Sequence, residues 1–128
     1  MKVNIENHGE QQVESLLNTL LGSTRFGSWV NGRLVEGDGE ELFLTNPATA
    51  GRFLSYKDAG ESLVDQAAEA AVAAQKNWWQ TTAPERARAM WKCGDVIRQS
   101  ADDLAWLESI SAGKPIRDCR VEVAKVAE

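Results

Sequence analysis

The side chains able to carry out covalent or acid–base chemistry are few and poorly grouped. The 128-residue chain has two cysteines, Cys93 and Cys119, and one histidine, His8. A nucleophilic thiol needs an adjacent base or a positive field that lowers its pKa. Cys93 and Cys119 lie far apart, each inside a helical pattern, so they form neither a CxxC redox pair nor a zinc site. They are read as reduced, largely buried thiols. His8 sits in a polar stretch, expected to be mobile, with no cysteine or acidic couple beside it, which leaves it without a ligand or catalytic role. The eight serines, from Ser15 to Ser111, have no histidine in an ordered element to activate them, and a serine triad is excluded. Glu40-Glu41 and Asp102-Asp103 fall in a loop and at a helix start, where solvation and the helix dipole account for them. Gly37-Asp38-Gly39 is half of a dinucleotide fingerprint. The third glycine would fall at Leu42 and no helix opens there, so the segment is read as a plain turn. The five tryptophans (29, 78, 79, 91 and 106) are assigned mainly to packing rather than to a stacking platform. No residue is assigned a catalytic, cofactor-binding or metal-binding role.

Composition narrows the class. Hydrophobic residues are 43% and charged residues 26%, values of an ordinary globular domain rather than a disordered or disulfide-stapled one. The net charge is −5, with basic residues scattered among acidic ones, which disfavours a nucleic-acid surface. No apolar run approaches the ~20 residues of a membrane span, and no signal-peptide pattern opens the chain. A cytoplasmic protein with no membrane partner is expected.

The elements that must position these residues follow from spacing. Val13, Leu16, Leu17, Leu20 and Leu21 predict a short amphipathic helix stopped by Gly22. Asn31-Gly32 between strand-like pieces predicts a type I′ hairpin. Residues 42–45 and 52–56, joined through Asn46-Pro47 and Gly51, predict a second hairpin. The alanine-rich stretch 61–79 predicts a helix with Leu63, Val64, Ala67, Ala71, Ala74 and Trp78 on one face. Thr82 and Glu85 predict a capping box, with Ala83, Ala87, Met90, Gly94 and Ile97 facing inward. Ser100 caps a further helix whose Leu104, Leu107 and Ile110 face inward, and Gly113 closes it. Ile116, Cys119, Val123 and Val126 continue the pattern into a last helix, which stops without a polar trailer or a capping residue, as an interrupted element would.

Together these motifs resemble a family. Trp29-Val30-Asn31-Gly32-Arg33, Asn46-Pro47-Ala48-Thr49, the alanine-rich helix ending in Trp79, Pro84-Glu85-Arg86-Ala87, and Gly113-Lys114-Pro115-Ile116 with Glu122-Val123 are similar, in order and spacing, to the N-terminal region of NAD(P)-dependent aldehyde dehydrogenases. The resemblance covers about residues 27–128, with 1–26 as an N-terminal extension. It implies an α/β fold, mainly helical in this portion: two N-terminal β-hairpins followed by three to four packed helices, an incomplete part of an aldehyde dehydrogenase-like cofactor-binding domain.

In the family an aldehyde is oxidised to a carboxylic acid by a cysteine nucleophile and NAD or NADP. The resemblance places that cysteine, the glutamate base, the oxyanion asparagine and the cofactor residues later in the chain, so none is carried onto this sequence. Some relatives hold a structural cation beside an acidic residue just ahead of Gly-Lys-Pro. Ser111 and Ala112 stand there instead, and no ion is expected. The implied product is a truncated fragment, inactive alone and binding no cofactor by itself. Its partners would be the missing remainder of the enzyme or a second copy, through apolar surface at Ala70, Ala74, Val123 and Val126. The alternative is a non-enzymatic binding module docking through the N-terminal helix.

Overall fold

The computed structural model describes residues 6–22 and 26–128, with side chains of the first helix from residue 12 onward. Ser23 and the His8 side chain lie outside the described residues. The element order is α1 (Glu6–Leu21), β1 (Ser28–Val30), β2 (Arg33–Val35), β3 (Glu41–Thr45), β4 (Arg52–Lys57), α2 (Gly60–Gln80), α3 (Ala83–Gln99), α4 (Ala101–Ala112) and α5 (Ile116–Val126). The chain divides into two compact units, one of residues 1–45 and 49–75, the other of 46–48 and 76–128.

In the first unit, Val13 and Leu17 of α1 are buried, four residues apart on one face. Gly22 ends the helix with φ 65°, and its N–H donates to the Asn18 carbonyl at 3.0 Å. His8 lies inside α1. Glu and Gln around it are good helix formers, so the helix propagates back from the anchored turn.

The β strands form two separate two-stranded antiparallel sheets. In the first, Trp29 faces Leu34 across the ladder, and Asn31 (φ 49°) with Gly32 (φ 73°) supplies the left-handed turn. In the second, Leu42 pairs with Tyr56 and Leu44 with Leu54, and the register shifts between Leu44 and Thr45. The Asn46 Oδ1 accepts the Ala48 N–H at 2.9 Å, an Asx turn.

The glycines of Gly37-Asp38-Gly39 have a reason the sequence does not display. A Cβ on Gly37 would stand 1.8 Å from the Asp58 carbonyl oxygen. Gly39 N–H donates to that oxygen at 3.0 Å, and Asp58 N–H donates to the Glu40 carbonyl at 2.8 Å. In sequence the loop runs into β3 and no helix opens there, as expected; in space it lies beside the start of α2 at Gly60 (φ 71°), where an Asp38 carboxylate oxygen stands 2.0 Å from the position of a Gly60 Cβ. A carboxylate at a helix N-terminus complements the dipole and repels a second anion.

Of the apolar face expected on α2, only Leu63 is buried, while Val64 is 59% exposed and Ala71, Ala74 and Trp78 are also exposed. The helix stands on alanine propensity rather than on burial.

In the second unit, the Thr82 N–H and hydroxyl both donate to the Glu85 carboxylate at 2.8 Å and start α3. Ser100 N–H closes α3 onto the Val96 and Ile97 carbonyls, and the Ser100 carbonyl accepts Leu104 N–H to begin α4. Gly113 ends α4 in the left-handed conformation (φ 72°), where a Cβ would stand 2.7 Å from the Pro47 ring. Helices α4 and α5 pair, and α3 packs on both. Ala105, Cys119 and Val123 form the core, with Ile97, Ala101, Leu104 and Ile116 around it.

Three expectations are corrected here. Val123 is buried, so of the four residues expected to expose apolar surface only Ala74 and Val126 stand exposed, with Ala70 half-buried. Cys93 is exposed, because the buried stripe of α3 runs through Gly94 and Ile97 and Cys93 lies a ~100° step away. Trp29, Trp79 and Trp91 are exposed rather than packed, at 64%, 79% and 68%. No described helix is long and apolar enough to cross a membrane.

Candidate functional site

Three places bring chemistry-bearing groups together. The first is the α4–α5 junction. The left-handed cap at Gly113 turns the chain so that Lys114 reaches back to Glu108 on α4, with Nζ donating to Oε1 at 2.6 Å, and forward to the Glu122 carboxylate on α5. Its own carbonyl accepts the Ser109 hydroxyl at 2.8 Å, and the Cys119 thiol lies 3.7 Å from the same oxygen. Hydrogen bonds to Glu108 and then Glu122 hold the Lys114 ammonium above its ordinary range. The Lys114 hydrogen bond holds the Glu122 carboxyl below the usual carboxylate range. An amine kept protonated in this way is neither a base nor a nucleophile, and the junction acts as a clamp between two helices.

The thiols are the second place. Burial pushes the Cys119 thiol up, with the Glu108 charge acting in the same direction. A buried thiol whose thiolate is disfavoured is not poised for attack. Cys93 is exposed on α3. Among the described residues no group of His, Cys, Asp and Glu could hold a metal ion.

The third place is a groove of about 240 Å³ lined by Trp29, Val30 and Asn31 of the first hairpin and by Ala67, Ala70, Ala71 and Ala74 of α2. Ligand sites place a few convergent polar groups in an apolar cleft of at least about 300 Å³. This groove is smaller, and Asn31 is the only polar residue lining it. It does not suit a dinucleotide. The half-fingerprint loop is also closed to phosphate, since Asp58 occupies the space beside Gly37 and Gly39 and the Asp38 carboxylate stands at the start of α2.

Spacing in the sequence pointed to none of the Lys114 partners. Glu108 is six residues before Lys114 and Glu122 eight after, outside the three- and four-residue helical intervals. The only signal was the Gly113-Lys114-Pro115 motif itself.

Likeness to known proteins carries the assignment. Residues 34–128 match the model of the aldehyde dehydrogenase family. The chain belongs to that family. Among solved structures, it is 31% identical to HpcC from Thermus thermophilus, with a TM-score of 0.79, over 91% of this chain and 23% of that one. It is 27% identical to an NAD-dependent aldehyde dehydrogenase from Sinorhizobium meliloti, with a TM-score of 0.72, over 94% of this chain and 23% of that one. A betaine aldehyde dehydrogenase double mutant from Staphylococcus aureus, in complex with NAD+, shares the fold at 23% identity and a TM-score of 0.79, over 92% and 23% of the respective chains. The chain thus spans about a quarter of the length of the structures it matches. The mainly helical α/β arrangement with two hairpins is a partial aldehyde dehydrogenase fold.

Proposed function

We propose that this chain is the N-terminal segment of an NAD-dependent aldehyde dehydrogenase, a cytoplasmic oxidoreductase, and that it is inactive alone. One observation carries the reading: three family structures align with more than 90% of this chain while each leaves 77% of its own length unmatched. The chemistry of the described residues supports it. Cys119 is buried with its thiolate disfavoured, Lys114 is held as a cation, and the groove on α2, about 240 Å³ and lined mostly by alanines, is small for a dinucleotide. The nucleophile, the base and the cofactor cradle would then belong to the remaining polypeptide, which would also set the choice of aldehyde.

In this reading residues 27–128 are the family segment and 1–26 an extension. Their task is to supply the hairpins and the clamped α4–α5 pair on which the remainder docks. The alternative of a docking module built on α1 has less support, because Val13 and Leu17 at the centre of its stripe are buried.

A chimera tests the proposal. This chain replaces the matched segment of the Thermus thermophilus protein, and aldehyde-dependent NADH formation is measured. The expected result is activity in the chimera and none in the isolated chain. A chimera that folds and binds NAD but is inactive even with the family's usual aldehydes would count against it.

A further inference from the structure

The buried stripe of α3 is covered along only part of its length. Gly94 and Ile97 meet α5: a Cβ on Gly94 would stand 2.7 Å from the Ala127 carbonyl oxygen, and Ile97 packs against the core of Ala105, Cys119 and Val123. The two helices run antiparallel, since Gly94 lies at the end of α5 while Asp102, just past the end of α3, accepts from Arg120 Nε at the middle of α5 at 2.9 Å. The same stripe continues toward the start of α3 through Met90, Ala87 and Ala83 at four- and three-residue spacing. There it has no cover. Met90 is 64% exposed, Ala83 is exposed, Ala87 is half-buried, and Trp91 on the flank of the stripe is 68% exposed.

The backbone at Ala127 is still right-handed helical (φ −79°, ψ −10°), and its N–H still donates to the Val123 carbonyl at 3.3 Å. Arg98 Nη1 donates to the Ala127 carbonyl at 2.6 Å and holds this end of α5 against α3. The line of α5 therefore points along Met90, Ala87 and Ala83. From Gly94 back to Ala83 is eleven residues of helix, about 16 Å at 1.5 Å per residue.

We infer that the N-terminal half of α3 is a docking surface for a helix in line with α5, with an apolar edge in phase with Cys119, Val123 and Ala127. The occupant rests on the reading above: it comes from the remaining polypeptide of the enzyme rather than from a second copy of this chain. Continuity with the α3–α5 interface selects it. An interface already built at Gly94 and Ala127 is extended along one stripe, with Met90 as the large side chain to be covered and Ala83 and Ala87 permitting close approach.

The test uses the full chain with a twelve-residue alanine-rich helical extension after Glu128. In one version leucines continue the phase of Cys119, Val123 and Ala127. In the other the same leucines are turned to the opposite face. The in-phase extension is expected to raise Tm by about 5 °C or more and to blue-shift tryptophan emission as Trp91 is covered. Met90→Glu is expected to cancel both gains while leaving the Tm of the unextended chain unchanged. Should Met90→Glu fail to fold, Ala83→Glu serves the same purpose. Equal gains from the two extensions, or gains that survive the glutamate, would overturn the inference. So would a dimer of the unextended chain that Met90→Glu dissociates, since a second copy would then be the occupant. No activity is read, so failure here leaves the family-segment reading standing.

Discussion

The two halves of α3 carry the same pattern and meet opposite surroundings. In the C-terminal half, Gly94 touches the Ala127 backbone, Ile97 packs on Ala105, Cys119 and Val123, and Arg98 closes the end of α5. In the N-terminal half, Ala83, Ala87 and Met90 repeat the spacing, and Met90 is 64% exposed. Periodicity states which face of a helix is apolar. It does not state what covers that face, because the cover belongs to another element. Helix α2 teaches the same lesson within the other unit, where Leu63 is buried and Val64 and Val72 stand 59% and 61% exposed.

A charge placed in each half of the α3 stripe's environment should give the widest contrast. Val123→Asp puts a carboxylate into the core that covers the C-terminal half and should cost about 4 kcal/mol or more, enough to unfold the helical unit. Met90→Asp should stay within about 0.5 kcal/mol, because the site is already solvated. Urea unfolding followed by far-UV circular dichroism checks both, and equal costs would erase the comparison.

Gly94→Ala sharpens it. The new Cβ would meet the Ala127 carbonyl at 2.7 Å, so the end of α5 must move and Arg98 must lose its acceptor or follow. The clash, about 1–3 kcal/mol, outweighs the ~1 kcal/mol of helix propensity that alanine brings. Thermal unfolding measures the net loss, and amide exchange should place it in the last turn of α5. At the other end of α3, Thr82→Ala removes the hydroxyl that donates to Glu85 and should cost about 1 kcal/mol, seen as faster exchange in the first turn only.

The smallest effect is the pH dependence of the Lys114 clamp. Lys114 holds the Glu122 carboxyl below its usual range, so this contribution is present above the ordinary carboxylate value of 4.5 and is lost as pH falls through the lower folded value. The Lys114 ammonium is held above its ordinary 10.5, so its contribution is full below that pH and is lost only as pH rises through the higher folded value. Between those limits the clamp should be flat with pH. Lys114→Met should shrink the fall in Tm on the acid side, and an unchanged acid limb would show that the clamp adds nothing to stability.

Local signals were legible where one residue type solves one backbone problem. Asn31-Gly32, Asn46-Pro47, Thr82 with Glu85, and Gly113 each sit where their conformational preferences place them. What could not be read were contacts made between elements distant in sequence. Gly37 is glycine because Asp58 passes against it, Cys93 is exposed because the buried stripe passes one residue away, and Lys114 joins carboxylates six and eight residues off. The family could be read before any of these, because the motif order survives without knowing what each motif touches. The part of the site that does chemistry was not legible, because none of the motifs that carry the family resemblance is a nucleophile or cofactor signature.

Aldehyde-dependent NADH formation by the isolated 128-residue chain is the direct test of whether a working centre resides in it. With one aliphatic and one aromatic aldehyde and saturating NAD, the expected rate is that of the buffer blank. A saturable rate that disappears in Cys93→Ser or Cys119→Ser would place the nucleophile inside this segment and contradict the account.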